Sequence, residues 1–153
     1  VKDQWKFVLR TGLIYLSVIA VTLVANGYYR EYQTQVYIDR FKEEKGMRIL
    51  NEISETYKIT MEHYSNYKLN REMKQRLVDK LNKLNNDLRK VEESVNSGEV
   101  SHQIDFSFLY HDIKLVNIAL SDTSKDDVVP VIVLHAMEGL GELKKEITYI
   151  QYR

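Results

Sequence analysis

The chain has 153 residues, with 22 Lys plus Arg balanced by 22 Asp plus Glu, so no net charge draws nucleic acid or an anionic surface from a distance. It has no cysteine, which excludes disulfides, thiolate metal centres and cysteine nucleophiles. One proline and six glycines are too few turn residues for a many-stranded β fold and favour long helices.

The first element is Thr11 to Gly27, TGLIYLSVIAVTLVANG, a run without a charged residue. Phe7, Val8 and Leu9 lengthen it, and Arg10 can reach back to water along its aliphatic stem. As a helix, Trp5 to Tyr28 spans about 35 Å, slightly more than the roughly 30 Å hydrocarbon core of a bilayer. Trp5 at one end and Tyr28, Tyr29 and Tyr32 at the other fall where amphipathic rings settle, at the two interfaces. A buried core helix is the first alternative, but no later segment offers enough apolar surface to wrap it. A cleaved signal peptide is the second, with Lys2, Lys6 and Arg10 as its basic flank. Its nearest small-x-small site, Ala25-Asn26-Gly27, is spoiled by Leu23. The favoured reading is an uncleaved signal-anchor: a flank over 1–10, a transmembrane helix over 11–27 and a soluble helical domain over 28–153.

Lys2, Lys6 and Arg10 precede the span and Arg30 follows it, which predicts a cytoplasmic N-terminus and an extracytoplasmic C-terminal domain. The span holds no Asp, Glu, His or Lys, so it offers no intramembrane proton or ion relay.

Beyond the span the helical period continues through Tyr29, Tyr32, Val36, Ile38, Phe41, Leu50, Ile53, Tyr57, Met61 and Tyr64. Gly46 is the weak point, since a helical glycine costs up to about 1 kcal/mol against alanine. An unbroken rod from Trp5 to Asn66 would be about 90 Å long. Ser65-Asn66-Tyr67 reads as a tight turn and Asn70 as the next N-cap.

A second soluble helix carries the cleanest seam, with coiled-coil spacing: Met73, Leu77, Leu81, Leu84, Leu88, Val91 and Val95. Glu72 with Arg76 and Asp79 with Lys83 are acid-first pairs one turn apart. Asn96-Ser97-Gly98 is its stop. Asp105 is the predicted N-cap of a third helix with the stripe Phe106, Leu109, Ile113, Val116 and Leu120. After the polar loop SDTSKDD, Asp127 is the predicted N-cap of the fourth, placing Pro130 at its third position, where no N–H is required. Val129, Val133, Ala136, Leu140, Leu143, Ile147 and Ile150 form its buried face. The β-branched stretch VVPVIV could be a strand, but the chain holds no partner for it.

These elements predict an all-α fold, one N-terminal transmembrane helix continuing into an antiparallel bundle of about four helices. The third helix is short, so the first two should project as a stalk, and the fourth should bring the C-terminus back toward the bilayer.

The chemistry is sparse. The histidines are His63, His102, His111 and His135, and the only Glu-x-x-His pattern is Glu99 to His102, against the two that a carboxylate-bridged centre requires. His135, near Glu138, reads as a partly buried, hydrogen-bonded side chain. Gly139-x-Gly141 sits in a helical pattern without a preceding strand, so it is no phosphate loop and reads as a close helix approach or a kink. No Ser-His-Asp or paired-carboxylate arrangement stands out. The basic residues of the second soluble helix are interleaved with acids and asparagines, a solvated face rather than a nucleic-acid surface. Tyr57, Tyr64 and Tyr67, with Tyr37 below them, either fill a core or form an exposed aromatic tip for a protein partner.

The expectation is therefore a non-catalytic, cofactor-free scaffold or accessory subunit. Its partners would be membrane lipid and, through helical packing, a membrane protein or a second copy. The layout of anchor, four-helix bundle and returning C-terminus also resembles the extracytoplasmic modules of chemoreceptors and sensor kinases. That resemblance is one of architecture and implies a ligand-sensing module. Such receptors also carry a return span and a transmitter, and the 153 residues hold neither.

Overall fold

A computed structural model of the chain describes residues 2–66, 69–97 and 104–151, and among them every regular element is helical. The helices are α1 (Lys2–Glu43), α2 (Gly46–Asn66), α3 (Arg71–Asn96), α4 (Ser107–Ser121) and α5 (Val129–Gln151), with a single 3-10 turn at Thr123–Lys125 before the last.

α1 is long and apolar enough to span a membrane. From Gln4 to Tyr32 its side chains are exposed, apart from partial cover at Thr11. Three of its polar side chains are satisfied by the helix itself. The hydroxyls of Thr11, Ser17 and Thr22 donate to the carbonyls of Phe7, Ile14 and Val18 at 2.9, 2.8 and 2.8 Å, so these three need no water to complete their hydrogen bonds. Only the last turns, with Tyr37, Ile38 and Phe41, are buried against the other helices.

The rod is broken near Gly46, but not by the glycine's backbone freedom. Lys45 takes the left-handed conformation, with φ 63°, and its N–H bonds to the Lys42 carbonyl while its own carbonyl receives Arg48 and Ile49. Gly46 is needed for space: a Cβ there would lie 2.3 Å from the Phe41 ring. Phe41 in turn stacks on Phe106 with centroids 5.3 Å apart, and both rings are fully buried.

α2, α3, α4 and α5 form a helical bundle in which α2 touches α3 and α5, and α4 touches α3 and α5. Asn117 pairs with Asn82, and Tyr110 with Glu92, which sets α3 and α4 antiparallel. Each predicted stripe supplies the core: Leu77, Leu81, Leu84, Leu88, Val91 and Val95 from α3, Phe106, Leu109, Ile113, Val116 and Leu120 from α4, and Val129, Val133, Ala136, Leu140 and Ile147 from α5 are all buried. Met73, Leu143 and Ile150 are partly covered. α5 ends beside α1, where Tyr149 and Ile150 line a groove with Gly27, Arg30 and Thr34.

Several boundaries differ from the sequence reading. Ser65 and Asn66 remain helical, so the chain turns after them; Tyr67 lies outside the described residues, as do Gly98 and His102. Asn70 caps α3, accepting the Met73 N–H at 2.8 Å. Asp105 precedes the first assigned residue of α4 by two positions, yet its carboxylate accepts the Ser107 N–H at 2.9 Å, the bond an N-cap makes. α5 begins one residue later than a cap at Asp127 implies: the Val128 carbonyl receives Ile132, and Pro130 is the second helical residue. Asp79 is engaged by Gln75 at 2.9 Å, whereas Arg76 and Glu72 pair at 2.6 Å as the spacing predicts.

Candidate interaction surfaces

The largest apolar surface is α1. Trp5 is 68% exposed, and Tyr28 and Tyr29 at the other end of the run are likewise open. Leu13, Ile14, Leu16, Val18, Ile19, Val21, Leu23 and Val24 between them point outward on all sides. This is the reverse of an amphipathic core helix, which hides one stripe.

Of the tyrosines expected at an aromatic tip, not all face solvent. Tyr57 is fully buried and cannot meet a partner, because α2 turns that side of itself into the bundle. Tyr64 is half-buried and donates to Asp126 at 3.4 Å, and Tyr67 lies outside the described residues. Burial and the Asp126 carboxylate push the Tyr64 hydroxyl up to about 12, and burial and Glu92 do the same to Tyr37. Burial raises Tyr57 and Tyr110 as well.

At the far end of α2 and α3 the segment before α5 closes over the helices. Lys74, only 5% exposed, donates its Nζ to Asp126 Oδ1, the oxygen that also receives Tyr64. The burial of Lys74 was not legible as such, although it falls one turn before Leu77 and Val78.

A second polar group lies in the core. Asp112 on α4 is 3% exposed and faces α5, where a Cβ on Gly139 would come 3.1 Å from its Oδ2. Burial pushes its carboxyl above the ordinary carboxylate range, and the nearby imidazoles of His135 and His111 pull it back. Its field reaches the buried Tyr57 hydroxyl, which has no hydrogen-bond partner. The signal was present in the sequence, since Asp112 lies within the stripe between Leu109 and Val116. His135 itself is exposed rather than partly buried, its ring edge-on to Phe108 with centroids 6.3 Å apart. Gly139 allows the close approach of α4; Gly141 meets nothing within 4 Å, and the helix runs through both without a break.

Between α3 and α4 runs a polar groove of about 370 Å³, lined by Asn82, Asn85, Arg89, Tyr110, Lys114 and Asn117 among others. Asn117 donates to Asn82 at 2.8 Å. The Oδ1 atoms of Asn85 and Asn117 are buried without a partner. Arg89 lies 4.1 Å from the centroid of the Tyr110 ring, whose hydroxyl donates to Glu92 at 2.5 Å. Sequence reasoning passed over these residues, because asparagines flanking a leucine seam look like solvated surface.

Among the described residues no three His, Asp or Glu side chains converge to hold a metal ion. Comparison with protein-family models, with curated proteins and with solved structures returned no match.

Proposed function

We propose that the chain is a non-catalytic, single-pass membrane subunit in which α1 anchors a helical bundle that serves as a scaffold or docking arm. The observation that carries this reading is the all-round exposure of α1. Leaving a large apolar side chain in water forfeits about 1.5–3 kcal/mol, and over Leu13 to Val24 the sum exceeds about 10 kcal/mol, the whole stability of an ordinary domain. Lipid removes that penalty. The hydroxyls of Thr11, Ser17 and Thr22 are bonded within the helix, and Trp5, Tyr28 and Tyr29 fall at interface depth.

In this reading residues 1–10 are cytoplasmic, 11–27 cross the bilayer and 28–153 stand outside it. The end of α5 beside Gly27 and Arg30 supports a bundle seated directly on the membrane surface. From the Asn82–Asn117 level, α3 runs about 10 Å farther than α4, so the projecting stalk is short and clasped by Asp126. The partner is a membrane protein or a second copy of the chain, met beside the span or on the bundle.

Membrane fractionation with alkaline extraction, followed by intact-mass measurement, tests the anchor. The full-length chain is expected in the pellet. Recovery of full-length chain in the supernatant, or of a chain cut near Ala25, overturns the anchor. Because the chain lacks cysteine, single cysteines at Ser121 and Lys2 report topology: an impermeant maleimide applied to intact cells should label only the first.

A receptor role is the second reading, and the groove between α3 and α4 favours it. A scaffold requires no such groove. Co-purification in mild detergent separates the two, since a scaffold brings down a stoichiometric membrane protein.

A further inference from the structure

We propose that the groove between α1 and the end of α5 holds the headgroup of an ethanolamine phospholipid, drawn from the leaflet on which the bundle sits. The proposal rests on the anchor reading, because it requires Gly27 and Arg30 to lie at the bilayer surface.

Depth is the first observation. With the charge-free run from Thr11 to Gly27 centred on Ile19, half a hydrocarbon core of about 15 Å ends near Tyr29. Arg30, Glu31 and Thr34 follow within about 8 Å, in the headgroup layer. All three line the groove, with Tyr149 and Ile150 of α5 as its other wall. Its volume is about 640 Å³, the size of a small-molecule site. Gly27 forms the membrane end, and a Cβ there would meet nothing within 4 Å, so that end is open.

Charge names the headgroup. Arg30 and Glu31 are both exposed, and among the described residues neither takes part in an ion pair. Two opposite, unpaired charges on one groove call for a ligand that carries both signs. The guanidinium of Arg30 suits a phosphate, which it can bond through two parallel N–H groups. The carboxylate of Glu31 can only accept, and an ammonium can only donate. Phosphatidylethanolamine joins a phosphate to an ammonium by a short link. A choline headgroup has no N–H to give Glu31, and phosphatidylglycerol brings a negative charge with no cation for it.

The face of α1 selects a lipid over a free phosphoethanolamine. Gly27, Arg30, Glu31 and Thr34 follow the spacing of one side of a helix. Continued toward the membrane, that side carries Val24, Leu23, Ala20 and Leu16, all exposed. They form an apolar track for an acyl chain directly below the groove. Each methylene laid on it adds to affinity, and a bare headgroup has none to offer.

The test gives the full chain, purified in mild detergent, an equimolar mixture of phosphatidylethanolamine, phosphatidylcholine and phosphatidylglycerol with identical acyl chains. Native mass spectrometry reads the lipid retained. Phosphatidylethanolamine is expected to exceed each competitor by about fivefold, the worth of one well-placed exposed ion pair. Glu31→Gln should erase that preference, and Arg30→Gln and Gly27→Leu should each lower the retained phosphatidylethanolamine to the level of the competitors. All three positions are exposed, so the variants keep the bundle. Glycerophosphoethanolamine, which lacks acyl chains, should not displace the lipid at equal concentration. Equal retention of the three lipids overturns the proposal, as do an unchanged preference in any of the variants and displacement by glycerophosphoethanolamine. Alkaline extraction separates the two failures. A chain that stays in the pellet but retains all three lipids equally loses the headgroup site alone, whereas a chain released into the supernatant loses both the site and the anchor.

Discussion

Gly46 lies under the ring of Phe41, close enough that a Cβ on residue 46 would sit 2.3 Å from it. The ring cannot give way, because it is fully buried and stacked on Phe106. The elbow between the long helix and the bundle is thus held by a missing side chain, while the backbone reversal is borne by Lys45.

The elbow makes two opposite predictions. Gly46→Ala overpacks a rigid site and should destabilise the bundle by about 1–3 kcal/mol. Lys45→Gly relieves a left-handed side-chain residue and should stabilise by about 1 kcal/mol. Thermal melts followed by circular dichroism check both. An elbow that worked through glycine flexibility would give no gain at position 45.

The clasp at the far end is asymmetric. Lys74 is nearly buried, and the Asp126 side chain is 28% exposed. Asp126→Ala strands a buried ammonium and should cost about 2–3 kcal/mol, together with the Tyr64 hydrogen bond. Lys74→Met leaves a carboxylate that water can reach and should cost clearly less. Chemical denaturation of the two variants settles the order, and equal losses would contradict the burial argument.

Asp112 should make stability fall as pH rises. Its folded pKa is raised above the ordinary value of 3.8, chiefly by burial, so between the two values the folded state holds a proton that the unfolded state has released. Stability is fully present at the acid side and is lost as pH climbs through the raised value. Asp112→Asn should remove this slope and melt a few degrees higher than the parent at pH 7. The two should converge near pH 4. A variant less stable than the parent at neutral pH would show that the ionised carboxyl is favourable where it sits.

Removing residues 1–27 should leave the bundle intact. From Gln4 to Gly27 the chain is exposed, with partial cover only at Thr11, so no packing is lost. The shortened protein is expected in the soluble fraction with stability within about 0.5 kcal/mol of the full chain. A large loss would mean that residues 1–27 support the bundle.

Most of the fold was legible because its signals are periodic and local. The stripes through Leu77 to Val91, Phe106 to Leu120 and Val129 to Ile147 state which face is buried before any neighbour is known. The charge-free run from Thr11 to Gly27 gives length and polarity without reference to the rest. Asn70 announced its cap through one residue type in one place. What the sequence left open was everything decided by a neighbour from another helix. Tyr57 could have faced out or in, and the packing of α2 in the bundle buries it. Lys74 looked like one more surface cation until Asp126 arrived from across the bundle. Gly46 was visible as a break, but only the Phe41 ring explains why no side chain fits there. Asn85 and Asn117 lie far apart in the chain, and the crossing of α3 and α4 alone puts both residues along one groove. Periodicity fixes which side of a helix avoids water, because that depends on the helix itself. The partner of a buried polar group depends on which other helix comes to rest against it.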